Sequence, residues 1–273
     1  MERGRCDSMA IVGVIGLGNM GSVIATLISK QEKHSLLLAN RTFEKAKKLA
    51  ETLNGNAVTN QDVFKEADVI FLGVKPNQIE GILKEGQEAL AHSDSKLLVS
   101  MAAGLTLEEI SDMAPRHHRF IRMMPNTPLE VGEGVITYAL GDTASPDDKF
   151  LFNSLLEKGG LLIELQESNL DAATAVAGCG PAFVYLFIES LADAGVKQGL
   201  TRNDALLLAT QTVKGSALMV EETNAHPAFL KDKVCSPGGS TIAGVASLEE
   251  TGFRASVLSA VDRAKKRTEE LGK

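Results

Sequence analysis

Between residues 11 and 163, short apolar runs alternate with amphipathic stretches along this chain. The apolar runs fall at 11–15, 36–39, 69–74, 97–101, 120–124, 134–139 and 161–163. Their length and near-continuous apolarity suit strands buried on both faces. Helical period appears between most of them, at 20–29, 43–53, 79–90 and 147–157. Alternation of this kind predicts a doubly wound, mostly parallel sheet with helices on both faces. Beyond Gln166 the strand period disappears, and helical patterns run from about 181 to 196 and from 201 to about 222. Thr201 has the character of an N-cap, with Asp204 three residues on. Apolar positions nearly encircle the second of these helices, which predicts burial on most sides, in its own domain or against a partner subunit. The expected organisation is an α/β domain over 9–165 and an all-helical domain over 166–273.

Composition narrows the class of partner. A net charge of -7 and an aromatic content of 4% argue against a nucleic-acid surface, which favours basic and stacking side chains. No apolar run approaches the ~18 to 20 residues of a membrane span. The first eight residues lack the apolar stretch of a signal peptide, and Met9 directly precedes the first strand. They read as an extension, a tag or an alternative start. Cys6, Cys179 and Cys235 show neither metal-ligand spacing nor a disulfide framework, which points to a reducing cytoplasm and no metal.

The first strand runs into Gly16-Leu17-Gly18-Asn19-Met20-Gly21, followed by a helical pattern and a second strand. In that context G-x-G-x-x-G predicts a dinucleotide site: one glycine for the tight turn, one for approach to the pyrophosphate, one for packing of helix on strand. An NAD site usually places an acid at the end of the second strand, whereas this chain has Asn40-Arg41-Thr42. An arginine there suits a 2′-phosphate, so NADPH is favoured, with NADH possible as an alternative cofactor. Asn40 and Thr42 have a second reading, as caps of the next helix. Further turns at strand ends are Val74-Lys75-Pro76, Met101-Ala102-Ala103-Gly104 and Asn126-Thr127-Pro128; the small residues of the second would let a nicotinamide lie close to the backbone.

Near the C-terminal end, Val234-Cys235-Ser236-Pro237-Gly238-Gly239-Ser240-Thr241 precedes an apolar-periodic run at 242–248. It reads as a tight loop opening onto a helix N-terminus, a place for a small carboxylate. Neither this loop nor Ala177-Gly178-Cys179-Gly180-Pro181 holds a Lys, His, Asp or Glu. Oxidation of an alcohol wants a general base, whereas a protonated imine is already a hydride acceptor and needs only to be oriented. The histidines fall in polar contexts; His117-His118 reads as a surface pair and His226, before Pro227, as structural.

In order from about residue 10 to 270, these motifs closely resemble those of pyrroline-5-carboxylate reductases. The segments that carry the resemblance are Gly16 to Gly21, Val74-Lys75-Pro76, Met101 to Gly104, Asn126-Thr127-Pro128, Gly178-Cys179-Gly180-Pro181-Ala182 and Ser236 to Thr241. The resemblance implies a Rossmann domain followed by an all-α dimerisation domain, and reduction of 1-pyrroline-5-carboxylate to L-proline by NAD(P)H. It implies a homodimer through the C-terminal helices, which can assemble into a decamer, with no membrane or nucleic-acid partner. Carried over by position, Val234, Cys235, Ser236, Gly238, Gly239, Ser240 and Thr241 would bind substrate, together with Glu167. Thr241 would be the donor to the ring nitrogen, by proton transfer or by orientation alone, and Asn60 would lie near the adenosine ribose. Cys179 and Cys235 stand where serine or another small residue is more usual; of the two, Cys235 is the better candidate for thiol reagents, with an inert buried thiol as the alternative reading.

Overall fold

The structure, a computed structural model, describes residues 9–271. Eight strands form one sheet: β1 (Ile11–Ile15), β2 (Ser35–Ala39), β3 (Asn56–Ala57), β4 (Val69–Leu72), β5 (Leu97–Ser100), β6 (Arg119–Pro125), β7 (Gly134–Leu140) and β8 (Gly160–Glu164). Their order is β3-β2-β1-β4-β5-β6-β7-β8. The pairs from β3 to β6 are parallel, β7 runs antiparallel to β6, and β8 pairs parallel with β7. Successive side chains leave a strand on opposite faces. Val69 and Phe71 accordingly join one apolar core with Val12, Val14, Leu97 and Val99, while Ile70 and Leu72 join the other with Leu98.

Helices cover both faces. They are α1 (Asn19–Ser29), α2 (Phe43–Leu53), α3 (Asn60–Glu66), α4 (Pro76–Glu85), α5 (Gln87–Ala91), α6 (Leu107–Asp112) and α7 (Pro146–Leu156). Ile24, Leu27, Ala46 and Phe152 from α1, α2 and α7 fill the first core; Val63, Phe64, Ile79, Leu83, Leu90 and Ile110 from α3 to α6 fill the second. The helical pattern at 79–90 resolves into two helices divided at Gly86. A Cβ there would lie 2.3 Å from the Phe64 ring, so the chain passes that ring only as glycine. The strands expected to reach 74 and 101 stop at Leu72 and Ser100, where the backbone turns toward the sheet edge.

His118 corrects the expectation of a surface pair: it is fully buried, its ring tilted at 43° against that of His117. Its Nδ1 accepts the Lys96 N–H at 3.1 Å, and its Nε2 lies 3.1 Å from the Leu90 carbonyl. Burial, then the neighbouring His117, pushes its pKa from 6.5 down to about 4. Below pH 6.5 the unfolded chain takes up a proton that the native imidazole refuses until about pH 4. Stability should therefore fall as pH drops through that window, by up to roughly 3 kcal/mol. Thermal denaturation of the wild type and of His118→Gln between pH 7.5 and 4 tests this: the variant should lose most of that slope, and parallel curves would remove His118 as its source.

After β8 the chain is helical: α8 (Leu170–Ala173), a wider π turn at Thr174–Gly178, then α9 (Gly180–Lys197), α10 (Arg202–Thr223), α11 (Pro227–Val234), α12 (Ser240–Glu250) and α13 (Phe253–Leu271). Compactness divides the chain at Gly178/Cys179, with the end of α13 from Ala264 grouped with the sheet. The capped start of α10 forms as its sequence suggests, with Thr201 Oγ1 accepting the Asp204 N–H at 3.1 Å. Among the described residues of the helical unit, the buried apolar side chains are Ala192, Ala205 and Ala209, where α9 packs on α10. Leu186, Leu206, Leu207, Leu208 and Leu258 are exposed. The helical stretch 167–197 is long and apolar enough, by length and composition alone, to cross a membrane, contrary to the expectation that no run approaches that length.

Candidate functional site

The turn from β1 to α1 is built by glycines that meet one another. Gly16 takes a φ of 91°, and its N–H donates to the Ala39 carbonyl at 2.9 Å. A Cβ on Gly21 would come within 2.0 Å of the Gly16 carbonyl oxygen, and one on Gly73 within 2.5 Å of the same atom. Gly18 differs: a Cβ there would meet nothing within 4 Å. Its missing side chain answers no demand of the protein and leaves room for a ligand. Gly18 is also the N-cap of α1 and supplies no side-chain acceptor, whereas Thr59, Thr106, Ser145 and Thr201 cap α3, α6, α7 and α10. Unshielded N–H groups and the positive helix end therefore face the open side of this turn, a fit for a pyrophosphate.

Around it the other cofactor candidates line the C-terminal strand edge. Asn40 Oδ1 accepts the Leu17 N–H at 3.1 Å and its Nδ2 donates to the Thr42 carbonyl, so Asn40 ties the first two turns together. Thr42 occupies the N-cap position of α2 without a side-chain bond. Arg41 is exposed, with no ion-pair partner among the described residues. Val74 packs against Gly16, and the Met101 methyl against Gly73. Lys75 is the N-cap of α4 and Pro76 its first residue. Ala102 is buried, with its N–H donated to Ser100 Oγ, and Ala103 follows in the same turn. Asn60, at the start of α3, gives its amide to Glu85 at 2.9 Å.

One buried charge in this unit has no forewarning beyond an arginine inside the apolar run at 120–124. Arg122 of β6 is buried and pairs with Glu167 Oε1 at 3.2 Å and Asp171 Oδ1 at 2.6 Å. Glu167 Oε1 also accepts the Leu107 N–H at 2.6 Å. Asn126 makes a second tie: it accepts the Val135 N–H at 2.8 Å and donates to the Ala177 carbonyl at 3.0 Å.

In the helical unit, α11 opens on His226, which caps it by accepting the Ala228 N–H at 3.2 Å. The helix ends at Val234, which is exposed; Cys235 follows, half-buried. The Gly239 N–H then returns to the Ser236 carbonyl at 3.0 Å across Pro237 and Gly238, whose φ is 68°. Proline second and a left-handed glycine third make a type II turn. A Cβ on Gly239 would sit 2.5 Å from Ser236 Oγ, so a larger residue there would have to turn that hydroxyl aside. Gly239 is the N-cap of α12, and it offers no side-chain acceptor. Ser240 and Thr241 occupy the first turn, exposed. Among the described residues, the hydroxyls of Ser236, Ser240 and Thr241 have no partner. The loop is an uncapped helix start flanked by three free hydroxyls, and it contains no titratable base.

Residues 167–271 match the family model for pyrroline-5-carboxylate reductase dimerisation, and residues 11–104 that for NADP oxidoreductase, coenzyme F420-dependent. A pyrroline-5-carboxylate reductase of Arabidopsis thaliana is 40% identical over 264 residues, 95% of each chain. The chain belongs to the pyrroline-5-carboxylate reductase family. Two solved structures agree along nearly the whole length. The Plasmodium falciparum pyrroline carboxylate reductase with NADP bound has a TM-score of 0.87 at 35% identity, covering 97% of this chain and 98% of its own. The Streptococcus pyogenes 1-pyrroline-5-carboxylate reductase has a TM-score of 0.88 at 33% identity, covering 96% and 99%. Residues 167–197, apolar enough for a membrane, fall inside the dimerisation match.

Proposed function

We propose that this reductase-family member transfers a hydride from NADPH to the protonated C=N bond of 1-pyrroline-5-carboxylate, giving L-proline, the last step of proline biosynthesis. The observation that carries the reading is the 236–241 loop, an uncapped helix start with free hydroxyls and no base. It suits a carboxylate-bearing cation that needs orientation and no proton abstraction. The bound cofactor supplies the hydride; everything else falls to the chain. The N–H groups at Gly18, Asn19 and Met20 hold the pyrophosphate, and Arg41 reaches for the 2′-phosphate. The turn at Met101, Ala102 and Ala103 presents backbone to the nicotinamide. N–H groups at Ser240 and Thr241 take the substrate carboxylate, with Val234, Cys235, Ser236, Gly238 and Gly239 shaping the loop. The Thr241 hydroxyl directs the ring nitrogen, and Glu167 faces the substrate cation. The hydride ends on the ring carbon, and the nitrogen keeps its proton as a secondary amine.

The working form in this reading is a homodimer through the C-terminal helices, open to assembly as a decamer, in the cytoplasm. Initial rates with 1-pyrroline-5-carboxylate test the reaction directly: NADPH should be oxidised faster than NADH, with proline as the product. Thr241→Ala should cut kcat/KM about 100-fold, as loss of a single positioned donor does, while NADPH binding stays as in the wild type. Unchanged rates would remove Thr241 from the reaction; no turnover of the wild type with either cofactor would sink the substrate.

A further inference from the structure

The buried guanidinium of Arg122 sits where three segments cross. Its own strand, β6, ends at the sheet edge that carries the cofactor turns, and Arg122 is the register partner of Ser100. Ser100 opens the turn assigned above to the nicotinamide. That turn ends at Leu107, whose N–H is held by Glu167 Oε1 at 2.6 Å. The same oxygen takes one Arg122 nitrogen at 3.2 Å, and Asp171, one helical turn on, takes the other at 2.6 Å. The cofactor turn and the acid-bearing segment are thus tied through one oxygen and one guanidinium.

The arrangement is a poor way to gain stability alone. An apolar side chain in a buried strand avoids the desolvation that a guanidinium suffers, and buried ion triads often give way to apolar residues without loss. Here the Arg122 Nε is also left buried with no acceptor. What the group does supply is geometry, because a planar fork binds two carboxylates in fixed directions that an ammonium does not reproduce. One cation against two acids leaves a net negative charge on Glu167 and Asp171, whose side chains are 29% and 24% exposed. Such a charge suits a cationic imine beside it.

We infer that Arg122 is a positioning residue: through the oxygen shared by Arg122 and Leu107, it fixes the Glu167 carboxylate relative to the nicotinamide-bearing turn. The inference rests on the proposed reading in which Glu167 faces the substrate. Arg122→Lys keeps the charge and loses the fork. In that variant kcat/KM for 1-pyrroline-5-carboxylate should fall about 10- to 100-fold, the scale of a small misplacement near the reacting atoms. NADPH dissociation, measured by its fluorescence, should stay within about twofold of wild type, since no phosphate contact is touched. Adding Glu167→Gln to Arg122→Lys should cost little more, because the two act as a unit. Hydrogen exchange should quicken together in peptides covering 101–107 and 167–171. Multiplying losses in the double variant, wild-type kinetics in Arg122→Lys, or unchanged exchange at Leu107 would each overturn the inference. If Arg122→Lys does not fold, Asp171→Asn, at the partly exposed rim, replaces it: faster exchange at 167–171 with a raised KM supports the clamp, and wild-type values for both overturn it. The exchange measurement stands apart from the reaction. A wild type that turns over no pyrroline would sink the substrate, while exchange at Leu107 would still decide the clamp.

Discussion

Gly21→Val is expected to abolish NADPH binding at micromolar concentrations. The new Cβ would lie 2.0 Å from the Gly16 carbonyl oxygen, about half the distance two such atoms tolerate. Gly16 has no room to retreat, because its N–H is bonded to Ala39 and its other side meets the Gly73 backbone. The strain falls on α1, whose first turn must slide off β1 and away from the pyrophosphate position. Overpacking of this kind costs about 3 kcal/mol, and that much taken from binding is roughly a 100-fold rise in Kd. Fluorescence titration of NADPH beside a thermal melt measures both parts. Gly18→Ala is the informative companion, since its Cβ meets nothing and its φ is an ordinary -68°. It should melt like the wild type and bind NADPH more weakly. A wild-type Kd in Gly18→Ala would show that the open side of the turn does not carry the phosphates.

Leu207→Asp should dissociate the assembly and leave a chain that aggregates or melts early. Leu207 is 62% exposed on α10, between Leu206 and Leu208, in a unit whose buried apolar side chains are three alanines. Helices that bury so little within one chain need cover from another, and the dimerisation match over 167–271 says what kind. Covering one leucine side chain contributes about 1.5–3 kcal/mol, and burying a carboxylate without a partner costs more than that gain. A twofold interface uses each position twice, so one substitution acts as two. Light scattering reads subunit number and a melt reads stability: the wild type should weigh two subunits or a multiple of two. A variant of unchanged size and midpoint would place Leu207 outside any interface.

Much of this was legible in the chain before folding. Strands β1, β2, β4, β5, β6 and β7 follow apolar runs because strands covered on both faces have no polar side to interrupt them, whereas β8 is an edge strand whose apolar run leaves Leu161 exposed. The cofactor turn is legible through its spacing, but the reasons differ: Gly21 answers to Gly16 five residues back, Gly16 to Gly73 and Val74 on a later strand end, and Gly18 to no protein atom. The type II turn at 236–239 is legible locally, because Pro237 and Gly238 dictate their own dihedrals. β3 is two residues long, too short to show a period, and only its pairing with Leu37 and Leu38 defines it.

The features that escaped depend on partners far along the chain. Glu167 and Asp171 lie 45 and 49 residues from the arginine that holds them, so nothing near Arg122 announces a clamp. His118 looks like half of a surface pair until Lys96 and Leu90, 22 and 28 residues away, close over it. The break at Gly86 is set by the ring of Phe64 on another helix. The sequence alone determined the order of elements, the cofactor turn and the loop at the second helix start, because backbone chemistry and hydrophobic period act over a few residues. The tertiary structure decided which charges are buried and what they hold, because burial is a property of what packs around a residue.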